Sequence, residues 1–265
     1  MSSNTLANLL NPSVPSDDAI IIPDGPTISY SQYKDEVERV AGLLAGAGVM
    51  PGRPVSIILP NSLEFMILFL AVARAGAVAA PLNSEYTTEE FKFFMEDANS
   101  QLAIIPETTH QGREAANELG IPVIDTSLNN GSVVLRENGQ NLTNSSDPQP
   151  PSEEDVALFL HTSGTTSRPK GVPLTHANLM KSINNIKTHY ELTPEDTSII
   201  VMPLFHVHGL MGASLSTLNS GGSLIIPSRF SASNFWELQK NNSATWYSAV
   251  PTIHQILLMR ADQDN

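Results

Sequence analysis

The sequence predicts an α/β protein, with stacked, mostly parallel sheets flanked by helices, and three observations predict it. Short apolar runs alternate with longer amphipathic ones from residue 54 to residue 124, which is the pattern of βαβ units. The run Val156-Ala157-Leu158-Phe159-Leu160 is apolar at every position instead of every second one, as in a strand covered on both faces. The chain has 265 residues and no cysteine, so it is long enough to bury one large core or two smaller ones without disulfides.

Each element has a local reason. Residues 1–18 are polar and contain proline, and they read as irregular. Runs at 19–22 and 27–29 flank Pro23-Asp24-Gly25-Pro26, a turn between two short strands. A helix starts near Ser29 or Ser31. Its core face is Tyr33, Val37, Val40, Leu44 and Ala47, and Gly48 stops it. Residues 54–59 read as a strand. Asn61 reads as the cap of a helix to about residue 75, with Gly76 as its stop. A small-residue strand follows at 77–81. Thr88-Glu89-Glu90 opens a helix through 98 whose first turn is acidic. Residues 102–105 read as strand, 111–119 as helix and 121–124 as strand.

Residues 128–154 are rich in Asn, Ser, Gly and Pro. They read as an exposed linker between a first α/β subdomain at 1–127 and a second at 155–265. In the second part, 171–174 is extended, and Thr175 caps a helix to about residue 190. A strand at 198–202, a helix at 208–218 and a strand at 222–227 follow. Ser231 caps a helix to 240, and 244–249 is a strand. Pro251 opens a last helix that turns Ile253, Ile256 and Leu257 inward.

Composition excludes several functions. The formal net charge of -13 argues against a nucleic-acid surface and against docking on anionic lipid. An anionic ligand would need the few cations focused at its site, and Lys170, Arg168 and Arg229 are the candidates. Without cysteine there is no thiolate metal site, and the chain suits a reducing compartment. The first sixteen residues hold no Lys or Arg and no apolar core, so they do not read as a secretory signal. The most apolar run, 65–73, lies between Glu64 and Arg74. It is too short to span a bilayer and reads as a buried helix. Asn141-Leu142-Thr143 fits a glycosylation sequon and, with no secretory signal, reads as a chance match.

The stretch Thr162-Ser163-Gly164-Thr165-Thr166-Ser167-Arg168-Pro169-Lys170-Gly171 carries the chemistry. A buried strand runs into two glycines, five hydroxyl side chains, an Arg and a Lys. Gly164 lets the backbone approach an anion without a Cβ. Backbone N–H groups and the hydroxyls of Thr162, Ser163, Thr165 and Thr166 are donors for phosphate oxygens, and Lys170 adds a mobile point charge. The string is no Walker A loop, because Pro169 precedes the Lys and Gly171 follows it. An ordinary surface loop is the alternative, and the length and order of the string weigh against it.

This string resembles the phosphate loop of the adenylate-forming, AMP-binding superfamily of acyl-CoA synthetases, luciferases and peptide-synthetase adenylation domains. It departs from that pattern at Ser167, where the pattern has Gly. Two further stretches resemble the same superfamily: Pro203-Leu204-Phe205-His206-Val207-His208-Gly209, and Ala244-Thr245-Trp246-Tyr247-Ser248-Ala249-Val250-Pro251-Thr252. Together with His161 before the loop and Ile253-His254-Gln255 at the end, they most resemble the oxalate–CoA ligases.

The resemblance implies the N-terminal part of the large domain of an adenylate-forming enzyme. It implies Mg-ATP and CoA as co-substrates, a small carboxylate such as oxalate as acyl donor, and an acyl-adenylate intermediate. His206 would lie beside the adenylate, His208 would face the acyl group, and Arg229 would meet a CoA phosphate. It also implies a cytoplasmic or peroxisomal location, although Gln263-Asp264-Asn265 is no peroxisomal signal.

Other readings stay beside this one. A satisfied structural histidine is the alternative for His206 and His208. His-x-His also hints at a metal pair, but no third ligand lies in sequence range, so no metal site is expected. His161, His176 and His254 read as structural or exposed. No Gly-x-Ser-x-Gly elbow occurs, which weighs against a serine hydrolase.

The chain resembles roughly the first half of such an enzyme. It has no Tyr-Gly-x-Thr-Glu motif, no Thr-Gly-Asp ribose motif and no lid lysine, so no catalytic residue is assigned, and Lys170 belongs to the phosphate loop. A non-catalytic nucleotide- or CoA-binding module is the competing function. An open sheet edge and uncovered apolar surface would make the polypeptide alone marginally soluble.

Overall fold

The computed structural model describes residues 4–11, 17–162 and 169–264, with side chains as far as residue 261. A short 3₁₀ turn, Leu6–Leu10, precedes strands β1 (Asp18–Ile21) and β2 (Thr27–Ser29). Helix α1 (Tyr30–Gly46) buries Tyr33, Val37, Val40 and Leu44 completely, which is why the sequence folds there at helical spacing. Gly48 then takes a left-handed φ of 87°. Strand β3 (Pro54–Ile57), helix α2 (Leu63–Arg74) and strand β4 (Val78–Pro81) follow. The whole 65–73 run of α2 is buried, as its uninterrupted apolar sequence requires.

Helix α3 (Thr88–Asp97) starts on a capping box. Thr87 Oγ1 accepts from the Glu90 N–H at 3.3 Å, and the Glu90 carboxylate accepts from the Thr87 N–H at 2.8 Å. Strand β5 (Leu102–Pro106) leads to α4 (Gln111–Leu119), which begins with His110 Nδ1 accepting from the Gly112 N–H and ends on Gly120 at φ 68°.

Strand β6 (Val123–Asn129) runs into the expected 128–154 linker, and β7 (Ser132–Glu137) and β8 (Gln140–Asn141) lie in its first half. Asn130-Gly131 and Asn138-Gly139 have positive φ at both positions (49° and 82°, 51° and 77°). They form two-residue turns between the pairs Asn129–Ser132 and Glu137–Gln140. Residues 142–155 contain no strand or helix.

Strand β9 (Val156–Thr162) and strand β10 (Lys170–Thr175) come next, then α5 (His176–His189). Thr175 caps α5: its Oγ1 accepts from the Asn178 N–H at 3.2 Å, and Asn178 Oδ1 accepts from the Thr175 N–H at 3.1 Å. Strand β11 (Thr197–Ile199), a π-helical segment (His208–Leu215), α6 (Ser216–Ser220), β12 (Ser223–Ile225), α7 (Phe235–Asn241) and α8 (Pro251–Asp264) complete the chain.

Three local expectations are corrected. The helix at 208 is π-helical for two turns, and the hydroxyls of Ser214, Ser216 and Thr217 donate to the carbonyls of Gly209, Gly212 and Ala213 along it. The 244–249 stretch makes only an isolated parallel bridge, Ser198 to Trp246. Helix α7 begins after Asn234 instead of at Ser231, whose hydroxyl bonds the Ser233 hydroxyl.

The chain divides into two compact units. The first comprises the described residues of Met1–Ala7, Lys34–Leu59 and Glu64–Met180. Its sheet has the order β10-β9-β4-β3-β5-β6-β7-β8, parallel from β9 to β6 and antiparallel at both ends. Ile58, Phe91, Met95, Ala103, Ile105 and Ala115 are among its core residues. The second comprises Asn8–Tyr33, Pro60–Leu63 and Lys181–Asn265, where described. Its sheet, β11-β12-β1-β2, is parallel except at β1–β2. Its core holds Ile199, Val201, Ile225, Phe235, Ala244 and Leu257. Residues 155–180 therefore group with residues 64–127 and not, as the expected break at 128–154 had it, with 181–265. The reason is that β9 pairs in parallel with β4 and inherits that sheet.

Candidate functional site

In the first unit, Thr162 and Lys170 of the 162–171 string lie at the facing ends of the antiparallel strands β9 and β10. Thr162 and Lys170 are Cα partners on the last rung, followed inward by His161–Gly171 and Leu160–Val172. Thr162 and Lys170 are both exposed, and the Lys170 side chain makes no ion pair with a described residue. Ser163, Gly164, Thr165, Thr166, Ser167 and Arg168 lie outside the described residues.

The base of the hairpin is braced. His161 Nε2 meets Asp97 Oδ2 of α3 at 2.8 Å, and the His161 side chain is 8% exposed. Its ring centroid lies 4.7 Å from Phe94 and 5.2 Å from Phe159 in edge-on geometry. His161 is thus built into the base of the hairpin. Gly171 has a packing reason to be glycine, since a Cβ there would come within 2.3 Å of the Phe159 ring.

In the second unit, residues 202–210 carry the two histidines on a tight turn instead of a strand. Leu204 is fully buried. The His206 N–H donates to Pro203 O at 3.2 Å and the Leu210 N–H to His206 O at 3.0 Å. Gly209 is required, because a Cβ would lie 2.3 Å from Pro203 O. His206 is exposed and His208 half-buried.

The two side chains do not share a strand face. The His208 N–H donates to His206 Nδ1 at 3.2 Å, so the neutral His206 ring carries its proton on Nε2 and offers it outward. His208 Nε2 meets the Ser248 hydroxyl at 2.8 Å. Burial, then the nearby rings of His206 and His254, push the His208 pKa below the ordinary histidine value.

The third stretch supplies an adjoining network. The Tyr247 hydroxyl meets His254 Nδ1 at 3.0 Å, and His254 Nε2 meets Ala249 O at 3.2 Å. A carbonyl only accepts, so His254 holds its proton on Nε2 and Tyr247 donates to Nδ1. Ser248, Tyr247 and Asn61 were not singled out by sequence reasoning as site residues. A serine beside a motif tyrosine carries no signal of its own. Arg229 is exposed, between β12 and α7, with no ion pair to a described residue. Among the described residues, no group of three or more metal-ligating side chains gathers, and no helix is long and apolar enough to cross a membrane.

The chain is 46% identical over 270 residues to the oxalate–CoA ligase of Arabidopsis thaliana, covering 98% of this chain and 52% of that protein. It is 34% identical over 275 residues to the oxalate–CoA ligase of Saccharomyces cerevisiae, covering 91% and 50%. The crystal structure of ATP-bound MatB from Rhodopseudomonas palustris superposes with a TM-score of 0.83 at 30% identity, covering 97% of this chain and 51% of that one. The chain spans about half the length of the curated relatives it matches. The model of the AMP-binding enzyme family matches residues 12–265. That match takes in the hairpin string and both histidines, and on it the chain belongs to the AMP-binding enzyme family.

Proposed function

We propose that this chain supplies the phosphate loop and part of the acyl site of an AMP-forming acid–CoA ligase whose carboxylate substrate is oxalate. The observation that carries the reading is the 162–171 sequence string, whose described residues Thr162 and Lys170 pair on the last rung of a braced antiparallel hairpin. The oxalate–CoA ligases at 46% and 34% identity support the choice of acid.

In this reading ATP binds as its Mg²⁺ complex. A carboxylate oxygen attacks the α-phosphorus, the bond to the β-phosphate oxygen breaks, and pyrophosphate leaves. Lys170 and the hydroxyls of Thr162, Ser163, Thr165 and Thr166, with the Gly164 backbone, carry the β and γ charge. The CoA thiol, losing its proton, then attacks the acyl carbon, and AMP leaves. His206 donates from Nε2, and His208 donates to a carboxylate from Nδ1 when its Nε2 accepts from the Ser248 hydroxyl. Two such donors suit a small dianion. Arg229 is the cation available for a CoA phosphate. A cytoplasmic or peroxisomal location goes with this activity.

The competing reading is a nucleotide- or CoA-binding module without catalysis. Pyrophosphate release on adding Mg-ATP and oxalate decides between them. Oxalate-dependent release supports the ligase. Nucleotide binding without release supports the module.

A further inference from the structure

Asn61 stands two residues before α2, where a helix cap is expected, yet its side chain is spent on another segment. Its Oδ1 accepts from the Leu204 N–H at 2.8 Å, and its Nδ2 donates to Met202 O at 3.0 Å. The Leu204 N–H can only donate and the Met202 carbonyl only accept, so the amide has one orientation that satisfies both. One side-chain amide thus holds this segment as a rung of backbone pairing holds a strand.

The segment it grips is the one that carries the histidines. Leu204 is buried beyond the clamp. The turn closes from the His206 N–H to Pro203 O, and the His208 N–H reaches the His206 ring. On the other side, the Gly209 backbone lies against Met202 O and Pro203 O, too close for any Cβ. Asn61 therefore holds the Met202 carbonyl and the Leu204 N–H, the Pro203 carbonyl between them closes the turn with the His206 N–H, and both imidazoles hang from that segment. Losing the clamp frees Met202 O and the Leu204 N–H together, and the turn must move to satisfy them.

We propose that Asn61 is the positioning residue of the His206–His208 segment: it sets where the two rings stand, and through them the affinity of this site for a small dicarboxylate. The affinity part rests on the ligase reading above.

Ring nitrogen NMR of this chain tests it, with Asn61→Ala, Asn61→Asp and oxalate as the probe. In Asn61→Ala, His206 loses its Nδ1-acceptor signature and averages between tautomers, and His208 shifts with it. His254, in the same unit, keeps its own pattern and reports an intact fold. Asn61→Asp keeps the acceptor for Leu204 and retains part of the His206 signature. Oxalate binds Asn61→Ala about tenfold more weakly than the parent chain, the size of one lost hydrogen bond.

Unchanged His206 and His208 signals in folded Asn61→Ala overturn the proposal. So does loss of the His254 pattern in both variants, since Asn61 would then hold the fold and not the segment. If oxalate moves no ring in the parent chain, the substrate reading falls, and the oxalate-free spectra of the variants decide the positioning role by themselves.

Discussion

Lys170 is the Cα partner of Thr162 across the ladder of β9 and β10, so these two residues stand side by side at the end of the hairpin ladder. A hydroxyl stands at one foot and an ammonium at the other, both exposed. The ladder behind them is closed by Gly171, whose missing Cβ makes room for the Phe159 ring. Gly171→Ala should therefore destabilise the chain by about 1–3 kcal/mol, the usual cost of overpacking. Urea midpoints measure this, and Phe159→Leu in the same chain should recover part of the loss. An unchanged midpoint would show that Phe159 moves aside freely.

His176 is buried, and its Nδ1 accepts from the Leu6 N–H at 3.2 Å, which only the unprotonated nitrogen can do. Burial lowers its pKa from 6.5 to about 4, against the opposing pull of Asp155. Above 6.5 both states hold a neutral ring and the contribution is complete. Between 6.5 and 4 the unfolded chain takes up a proton that the native chain refuses, so stability falls with pH, by at most about 3 kcal/mol. Below 4 the slope ends. Urea midpoints across this window should fall less steeply for His176→Gln. An equal slope would put the acid sensitivity elsewhere.

Glu64, in the first turn of α2, accepts from the Thr126 hydroxyl at 2.5 Å. Burial raises its pKa, and the Thr126 bond only partly offsets this. A raised carboxyl means that the unfolded chain loses its proton first as pH rises, so the group costs stability at neutral pH. Glu64→Gln keeps an acceptor for Thr126 and should raise the melting temperature at pH 7, with the gain fading toward pH 4. A lower melting temperature at pH 7 would mean that the charge itself is stabilising.

Much of this was legible in the sequence, and the gaps have physical causes. The helix expected at 111–119 is α4, because its apolar positions and Gly120 are local signals. The hairpins at Asn130-Gly131 and Asn138-Gly139 went unread although Asn-Gly is itself a hairpin signal. Val133 and Leu135 alternate with Ser132 and Val134 on the strand between the two turns, and the polar residues around them outweighed that alternation. Asn61 reads as a cap from its neighbours alone. Its partners, Met202 and Leu204, lie about 140 residues away, and no local pattern encodes them. His206 and His208 were found by motif, but the bond from the His208 N–H to the His206 ring needed the turn to be seen.

His208, with its lowered pKa, is neutral at physiological pH, and an anion favours the protonated ring. Affinity for oxalate should therefore rise as pH falls through values below 6.5, the ordinary histidine value. Calorimetric titrations between pH 7.5 and 5 check this, and His208→Gln should flatten the part of the rise that His208 supplies. The same pH dependence in the variant would remove His208 from the acyl site.

The most direct test of the account is calorimetric titration of this chain with Mg-ATP beside the double variant Thr165→Ala, Lys170→Ala. The account predicts binding by the parent chain and at least about tenfold weaker binding by the folded variant, since charge-assisted contacts to phosphate are lost. Equal affinity in both, or no binding by the parent chain, would contradict a phosphate site at the β9–β10 connection.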